Sequence, residues 1–376
     1  MSPATRNATS AGAVTLQVAA RGRRAYPVVL GPGVQARLPE LVPPGTATIA
    51  LLADTNVAPR HAAAVGQALQ AIAPVEQLGF PAGEGHKTRE TKARLEDELL
   101  ARGCGRDTLI LGLGGGVTTD LAGFLASTYL RGVPWLALPT SLLAAVDASV
   151  GGKTGVNTPA GKNLVGTFYE PWAVCIDLHW LATLPAAEVD NGLAEMVKHA
   201  VLADAAYLDR LVASAPELRA LAPEAVGPAI QRSLEIKAEV VTADPTEANR
   251  REVLNLGHTI GHAIEAVSGY TVSHGRAVAA GLAVEADIAV RLDLLDAADR
   301  TRLGAALDAL ALPTGPPAGT EPAALLAALT TDKKRRRGRV RFALPTGLGD
   351  LSPGPDGYAR EVPEDVLRSV LEEATR

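Results

Sequence analysis

The chain has 376 residues, 47% hydrophobic and 20% charged, an ordinary globular balance and more chain than one compact core normally absorbs. A formal net charge of -5 argues against a general nucleic-acid binder, which is basic overall. The only cysteines, Cys104 and Cys175, supply no disulfide framework and suit a cytoplasmic enzyme. No apolar run approaches the roughly 20 residues that cross a bilayer. The start is small and polar without the apolar centre of a signal peptide, so residues 1–14 read as a frayed tail.

The first half alternates short apolar, β-branched runs with helical stretches. Ala47–Leu52 reads as a buried strand running on to Asp54-Thr55-Asn56, with a helix from about Arg60 to Ile72. Val75–Phe80 is a second strand, and Lys87–Arg102 a charged amphipathic helix. Thr108–Leu113 is a third strand, delivered into Gly114-Gly115-Gly116, and Trp135–Leu138 and Ala173–Ile176 are further buried strands. Such alternation predicts a Rossmann-like α/β domain with a parallel sheet covered on both faces, over residues 15–184. From Ala186 to about Leu310 the periodicity is helical, which predicts a mostly α-helical domain over 185–376. Within it, Arg291–Leu310 carries aspartates placed to cap a break, and Pro313–Pro322 is a loop. Val340–Leu344 is expected as one strand of a small hairpin closing at Thr346-Gly347, and no internal repeat is present.

Three groups of residues carry chemistry. A buried strand entering Gly114-Gly115-Gly116 and then a helix can bring backbone N–H groups to a phosphate. Its spacing is not GxGxxG, however, and a plain tight turn explains it equally well. Asp54, at the end of an earlier strand, suits a ribose hydroxyl or a helix cap. His258 and His262 lie four apart on one helix face, a spacing for a divalent metal, but Thr259 stands where the zincin pattern needs a glutamate. His274 in a Ser-His-Gly turn and Glu195 in an apolar stretch complete a Glu/His/His hypothesis, a catalytic zinc commonly taking three protein ligands. The third group is cationic. Lys153 and Lys162 follow glycines in polar loops, as point charges for an anion, and Arg131, Lys198, Lys237 and Arg251 sit among apolar neighbours. The run Lys333 to Arg337 is read as a solvated turn rather than a nucleic-acid signal, given the acidic chain and its few aromatics.

Gly114-Gly115-Gly116-Val117 with Asp120-Leu121-Ala122-Gly123-Phe124, then Pro139-Thr140-Ser141-Leu142-Leu143, resembles the 3-dehydroquinate synthase family. The blocks Val146–Asn157, Gly161–Gly166, Gly192–Lys198, Leu254–Glu265 and His274-Gly275 continue the resemblance in order, over residues of about 15 to 345. The resemblance implies a lyase of the shikimate pathway of aromatic amino acid biosynthesis, with NAD in the N-terminal domain, zinc (or cobalt) in the helical one, and a homodimer. It implies Glu195, His258 and His274 as metal ligands, so that His262 becomes a site polar group instead. Implied cofactor positions are Asp54, Asn56, Glu84, Lys87, Gly115, Gly116, Asp120, Thr140, Ser141, Lys162 and Thr183. Implied catalytic residues are Asp147, Lys153, Lys198, Asn255 and His262. Substrate positions are Arg131, Asn163, Lys237, Arg251 and one of Lys333 or Lys334, with Arg131 reaching in from a neighbouring subunit.

The implied substrate is the sugar phosphate 3-deoxy-arabino-heptulosonate 7-phosphate. Transient oxidation by NAD, phosphate elimination, re-reduction and aldol closure give 3-dehydroquinate with no net redox change. Lys237 and Arg251 favour a substrate with a carboxylate over those of the cyclases making 2-deoxy-scyllo-inosose or 2-epi-5-epi-valiolone. Aminodehydroquinate synthase keeps the acid and stays an alternative, as do zinc-dependent polyol dehydrogenases. Three departures stand out. Thr118-Thr119 adds bulk beside the glycine turn in place of an aliphatic residue and glycine. Arg276 replaces a common glutamate that would support His274, and His199 replaces an aromatic residue.

Overall fold

The structure is a computed structural model that describes residues 7–8, 13–19, 24–331 and 340–376. The chain divides into two compact units, Met1–Pro185 with Lys237–Thr242, and Ala186–Ile236 with Ala243–Arg376. Lys333 and Lys334 lie outside the described residues, as do 1–6 and 9–12 of the expected tail.

The N-terminal unit is built on an eight-stranded sheet of β1 (Asn7–Ala8), β2 (Val14–Val18), β3 (Tyr26–Gly31), β4 (Thr48–Asp54), β5 (Val75–Phe80), β6 (Thr108–Gly114), β7 (Trp135–Pro139) and β10 (Ala173–Asp177). Its order is β1-β2-β3-β10-β7-β6-β4-β5. From β3 to β5 all neighbours are parallel, whereas β2 is antiparallel to β3. Asn7 and Ala8, inside the segment read as a tail, pair antiparallel with Thr15 and Val14. β6 is buried at every position and β4 at all but its first, which is why these strands read as unbroken apolar runs. Helices α1 (Leu38–Leu41), α2 (Ala63–Leu69), α3 (Arg89–Ala101) and α4 (Gly116–Thr128) join the strands, and α5 (Leu178–Leu181) follows the last of them, β10. Between β4 and β6 the connections change direction, one leading out to β5 and the next returning past β4. Such a switch opens a crevice at the carboxyl ends of the strands, where Asp54 and Gly114 lie.

A two-stranded sheet of β8 (Lys153–Thr158) and β9 (Gly161–Phe168) was read as polar loop in the sequence; it is an antiparallel hairpin. Its strands approach so closely that a Cβ on Gly166 would fall 1.9 Å from the Thr154 carbonyl oxygen.

The C-terminal unit is helical: α6 (Ala186–Ala203), α7 (Ala205–Ala213), α8 (Ala215–Arg219), α9 (Pro223–Ala243), α10 (His258–Val267), α11 (His274–Arg291), α12 (Ala297–Ala309), α13 (Pro322–Thr331) and α14 (Glu364–Ala374). Residues 237–242 of α9 group with the N-terminal unit. The expected break in Arg291–Leu310 falls at Leu292–Asp296, between α11 and α12. The expected hairpin closing at Thr346-Gly347 is corrected. β11 (Arg341–Ala343) pairs instead with β12 (Ala359–Glu361), after a longer excursion whose local turn joins Gly347 to Asp350. None of the described helices is long and apolar enough to cross a membrane.

α10 packs against α11 almost backbone to backbone, because a Cβ on Gly281 would lie 2.0 Å from the Gly257 carbonyl oxygen. Gly281→Ala is therefore expected to force the helices apart and cost about 1–3 kcal/mol in chemical denaturation. On α12 a Cβ at Gly304 would meet only the far end of Arg300. There Gly304→Ala is expected to stabilise by about 0.5–1 kcal/mol through helix propensity. Equal effects at the two sites would contradict the packing described.

Candidate active site

In the N-terminal unit, the β6-to-α4 turn works by close packing rather than by unusual backbone. Gly115 is extended, at φ -77°, and none of Gly114, Gly115 and Gly116 has a positive φ. A Cβ on Gly114 would sit 2.3 Å from the Thr118 hydroxyl, so the missing side chain makes room for Thr118. Thr118 and Thr119 are both buried. Both side chains find local partners: Thr118 Oγ1 donates to Asp54 Oδ2 at 3.4 Å, and Thr119 Oγ1 to the Gly116 carbonyl at 3.2 Å. Asp54 acts as a cap, its Oδ1 accepting the N–H groups of Asn56 at 2.8 Å and Val57 at 3.0 Å. Around the next strand end, the Thr140 N–H donates to the Gly114 carbonyl and Ser141 Oγ accepts the Ala144 N–H.

Lys87 is the centre of the unit's polar cluster. It is buried, and its ammonium donates to Asp120 Oδ2 at 2.5 Å and Asn163 Oδ1 at 2.6 Å. Burial pushes the Asp120 carboxyl above the ordinary aspartate range, although Lys87 pulls the other way. Asn157, to which the sequence reading gave no role, joins the rest. Its Nδ2 donates to Glu84 Oε1 at 2.7 Å and its Oδ1 accepts the Asn163 N–H at 2.9 Å. Lys237 Nζ contacts both the carboxylate and the carbonyl of Asp147. Asn56, Arg131, Lys153, Lys162 and Thr183 are exposed, and His61 Nε2 lies 3.3 Å from Thr183 Oγ1.

In the C-terminal unit three helices bring together the expected metal ligands. Glu195 on α6, His258 opening α10 and His274 opening α11 each present a ligand atom, all within 4.8 Å of one another. Glu195 Oε1 is 3.4 Å from His258 Nε2 and 3.6 Å from His274 Nε2. Tetrahedral zinc with bonds of about 2.0–2.1 Å separates its ligand atoms by roughly 3.3–3.4 Å. Glu195 is fully buried with neither oxygen in a well-formed hydrogen bond, although Lys198 Nζ contacts Oε2. A buried carboxylate in that condition fits a metal ligand. Burial works to raise its pKa, but Lys198 and then His258 hold the carboxyl well below the usual range.

Both imidazoles are oriented from behind. His258 Nδ1 lies 3.1 Å from the Leu256 carbonyl, and His274 Nδ1 3.3 Å from Glu265 Oε2, leaving each Nε2 toward Glu195. Glu265, which orients His274, has no role in the sequence reading. Its only sequence signal is a charge on an otherwise apolar helix, seven residues after His258. Arg276, the departure expected to weaken support of His274, instead reaches Asp190 at 3.1 Å, and Asn191 Oδ1 accepts the Gly275 N–H at 2.7 Å. A second grouping of His262, Glu265 and His274 also comes within ligand range, and it draws on Glu265, which in the first set braces His274. His262 lies beside the first set, its ring centroid 5.5 Å from that of His258. Arg251 is buried, with Nη1 donating to the Pro245 carbonyl at 2.9 Å, and Asn255 Nδ2 donates to Glu247 Oε1 at 3.3 Å.

The chain, an α/β unit followed by a helical unit with a Glu/His/His cluster, matches solved sugar-phosphate cyclases over nearly its whole length. A solved 2-deoxy-scyllo-inosose synthase, complexed with carbaglucose-6-phosphate, NAD+ and Co2+, matches 96% of this chain and 100% of its own at TM-score 0.90 and 27% identity. A 2-epi-5-epi-valiolone synthase from Streptomyces hygroscopicus subsp. jinggangensis, with NAD+ and Zn2+, matches 95% and 98% at TM-score 0.84 and 29% identity. The family models for the 3-dehydroquinate synthase N-terminal and C-terminal regions match residues 77–191 and 192–335. The 3-dehydroquinate synthase of Xanthomonas oryzae pv. oryzae is 44% identical over 351 residues, 90% of this chain and 94% of that protein. The chain belongs to the 3-dehydroquinate synthase family of phosphate-eliminating lyases.

The loop that presents Arg251 depends on one carboxylate. Asp244 accepts the N–H groups of Ala248 at 2.9 Å, Asn249 at 2.7 Å and Arg251 at 3.0 Å. Burial tends to raise its pKa, but these backbone donors outweigh it and depress it. A depressed carboxyl contributes stability above its unfolded pKa and loses it as pH falls through the folded value. Asp244→Asn is thus expected to lower stability by about 1–2 kcal/mol at pH 7, with the difference shrinking below about pH 4. A gap independent of pH, in denaturant titrations, would count against the carboxylate's role.

Proposed function

We propose that this chain converts 3-deoxy-arabino-heptulosonate 7-phosphate to 3-dehydroquinate and phosphate with NAD and a divalent metal, zinc or cobalt, bound to the residues described. The observation that carries this reading is the Glu195, His258 and His274 set, each imidazole braced at Nδ1, in a chain whose family match spans both units. The solved cyclases that hold NAD+ with Co2+ or Zn2+ support the choice of cofactors. When bound, NAD supplies reversible hydride transfer and the metal a Lewis acid for the developing carbonyl.

The chain's own residues do the rest. Asp54, Asn56, Glu84, Lys87, Gly115, Gly116, Asp120, Thr140, Ser141, Lys162 and Thr183 would hold the dinucleotide. In that group the Lys87–Asp120 pair and the Asn157 bridge fix the polar atoms beforehand, which lowers the ordering cost of binding. Lys198 and Arg251, both buried, and Lys237, Lys153 and Asn163 supply cations and amide donors for a substrate carrying a carboxylate and a phosphate. Asp147, held through Lys237, and His262 with Asn255 are groups able to orient or exchange a substrate hydroxyl proton. Lys333 or Lys334 completes the phosphate contacts in this reading.

The same reading makes the enzyme a cytoplasmic homodimer. Cys104 and Cys175 are unpaired, as suits a reducing compartment. Leu164 and Phe168 are exposed on β9, whose only strand partner among the described residues is β8. Leu130 and Arg131 both hold positive φ, at 47° and 71°, a costly arrangement that projects an exposed Arg131. Sedimentation of the pure protein is expected to give a dimer, and a monomer at working concentration would refute this part.

Pure protein with NAD, zinc and the heptulosonate phosphate should release inorganic phosphate without accumulating NADH. Sustained NADH would mark a dehydrogenase, and turnover only of the amino analogue would mark aminodehydroquinate synthase. His258→Ala should lose zinc together with activity, by a factor of at least about 100. A fully metallated, active His258→Ala enzyme would break the ligand assignment.

A further inference from the structure

His258 is the first residue of α10, and the cap before it is unusual. Gly257 holds φ +77°, and a Cβ there would lie 2.8 Å from Leu282 Cγ and 2.9 Å from the Val278 carbonyl oxygen. No capping side chain fits at that position, yet the first N–H groups of a helix need acceptors. Glu285, fully buried three turns along α11, provides them. Its Oε2 accepts the Gly257 N–H at 2.6 Å and its Oε1 the Ile260 N–H at 3.1 Å, so the two bonds bracket His258.

The Gly257 N–H belongs to the same peptide group as the Leu256 carbonyl, the partner of His258 Nδ1. A peptide group is planar and rigid, so fixing its N–H fixes the direction of its C=O. The carboxylate, the peptide plane and the imidazole thereby form one chain of hydrogen bonds, in which each bond polarises the next. Burying a carboxylate is costly, and capping a helix alone does not require it.

We propose that Glu285 is a positioning residue for the metal centre, setting the aim and basicity of His258 Nε2 through the Leu256–Gly257 peptide. The inference rests on His258 being a metal ligand. α11 then serves the centre twice, with His274 as a ligand at its start and Glu285 bracing the ligand of the neighbouring helix.

The test uses Glu285→Leu, which fills the same space without acceptors, and Glu285→Gln. Zinc affinity is measured by chelator competition, alongside circular dichroism and amide exchange at Gly257 and Ile260. Folded Glu285→Leu is expected to bind zinc about tenfold more weakly, with faster exchange at both amides. Zinc affinity within twofold of the wild type, whatever the change in thermal stability, would reduce Glu285 to a helix cap and overturn the proposal. Should Glu285→Leu not fold, the same loss of zinc affinity is required of Glu285→Gln, and wild-type affinity there overturns it equally. His258→Ala separates the underlying assumption: if it keeps wild-type zinc affinity, the ligand assignment fails independently of Glu285.

Discussion

A fully buried carboxylate on α6 is the constraint to which the C-terminal unit answers. Removing an ion from water costs several kcal/mol even after relaxation, and only opposite charge, donors or a metal can offset it. Lys198, one turn along the same helix, offsets part for Glu195. The remaining coordination has to come from other helices, which explains why the first residues of α10 and α11 converge there. Their approach needs the small residues Gly257, Gly261 and Gly281 at the crossing. It also needs cross-links between α6 and α11, supplied by Asn191 to Gly275 and Asp190 to Arg276. Packing, capping and ligand placement in this unit are thus one arrangement.

The N-terminal unit solves a parallel problem around a cation. Lys87 is withdrawn from solvent between Asp120 and Asn163, and Asn157 carries the connection onward to Glu84. These bonds set the polar atoms before any ligand arrives. The glycine turn nearby owes its composition to the Thr118 side chain it must pass and not to left-handed backbone. Thr118 in turn reaches Asp54, so the two strand ends that flank the switch in the sheet are coupled by a side chain that in the sequence is only added bulk beside the turn.

Legibility in the sequence followed burial. β4, β6, β7 and β10 are continuous apolar runs and were visible as strands, as were the long helices of the second unit. The hairpin of β8 and β9 was not, because β9 is largely exposed and its tight pairing rests on glycines, leaving no alternation to read. β12 is short and pairs only across a long excursion. At the site, helical spacing put His258 beside His262 and had no means of choosing between them. Resemblance supplied the choice, and the bracing of His258 by Leu256 and of His274 by Glu265 gives it a physical basis. Glu265, Asn157 and Glu285 act by orienting other groups, and a role of that kind depends on three-dimensional contacts that no spacing rule encodes.

X-ray absorption at the zinc edge of the reconstituted protein reads the ligands of the metal one by one. Two imidazole nitrogens and carboxylate or water oxygen are expected at about 2.0–2.1 Å, with the same first shell in His262→Ala and no zinc held in that shell in His258→Ala. A first shell containing sulfur, or an imidazole lost in His262→Ala while His258→Ala keeps both, would contradict the ligand assignment.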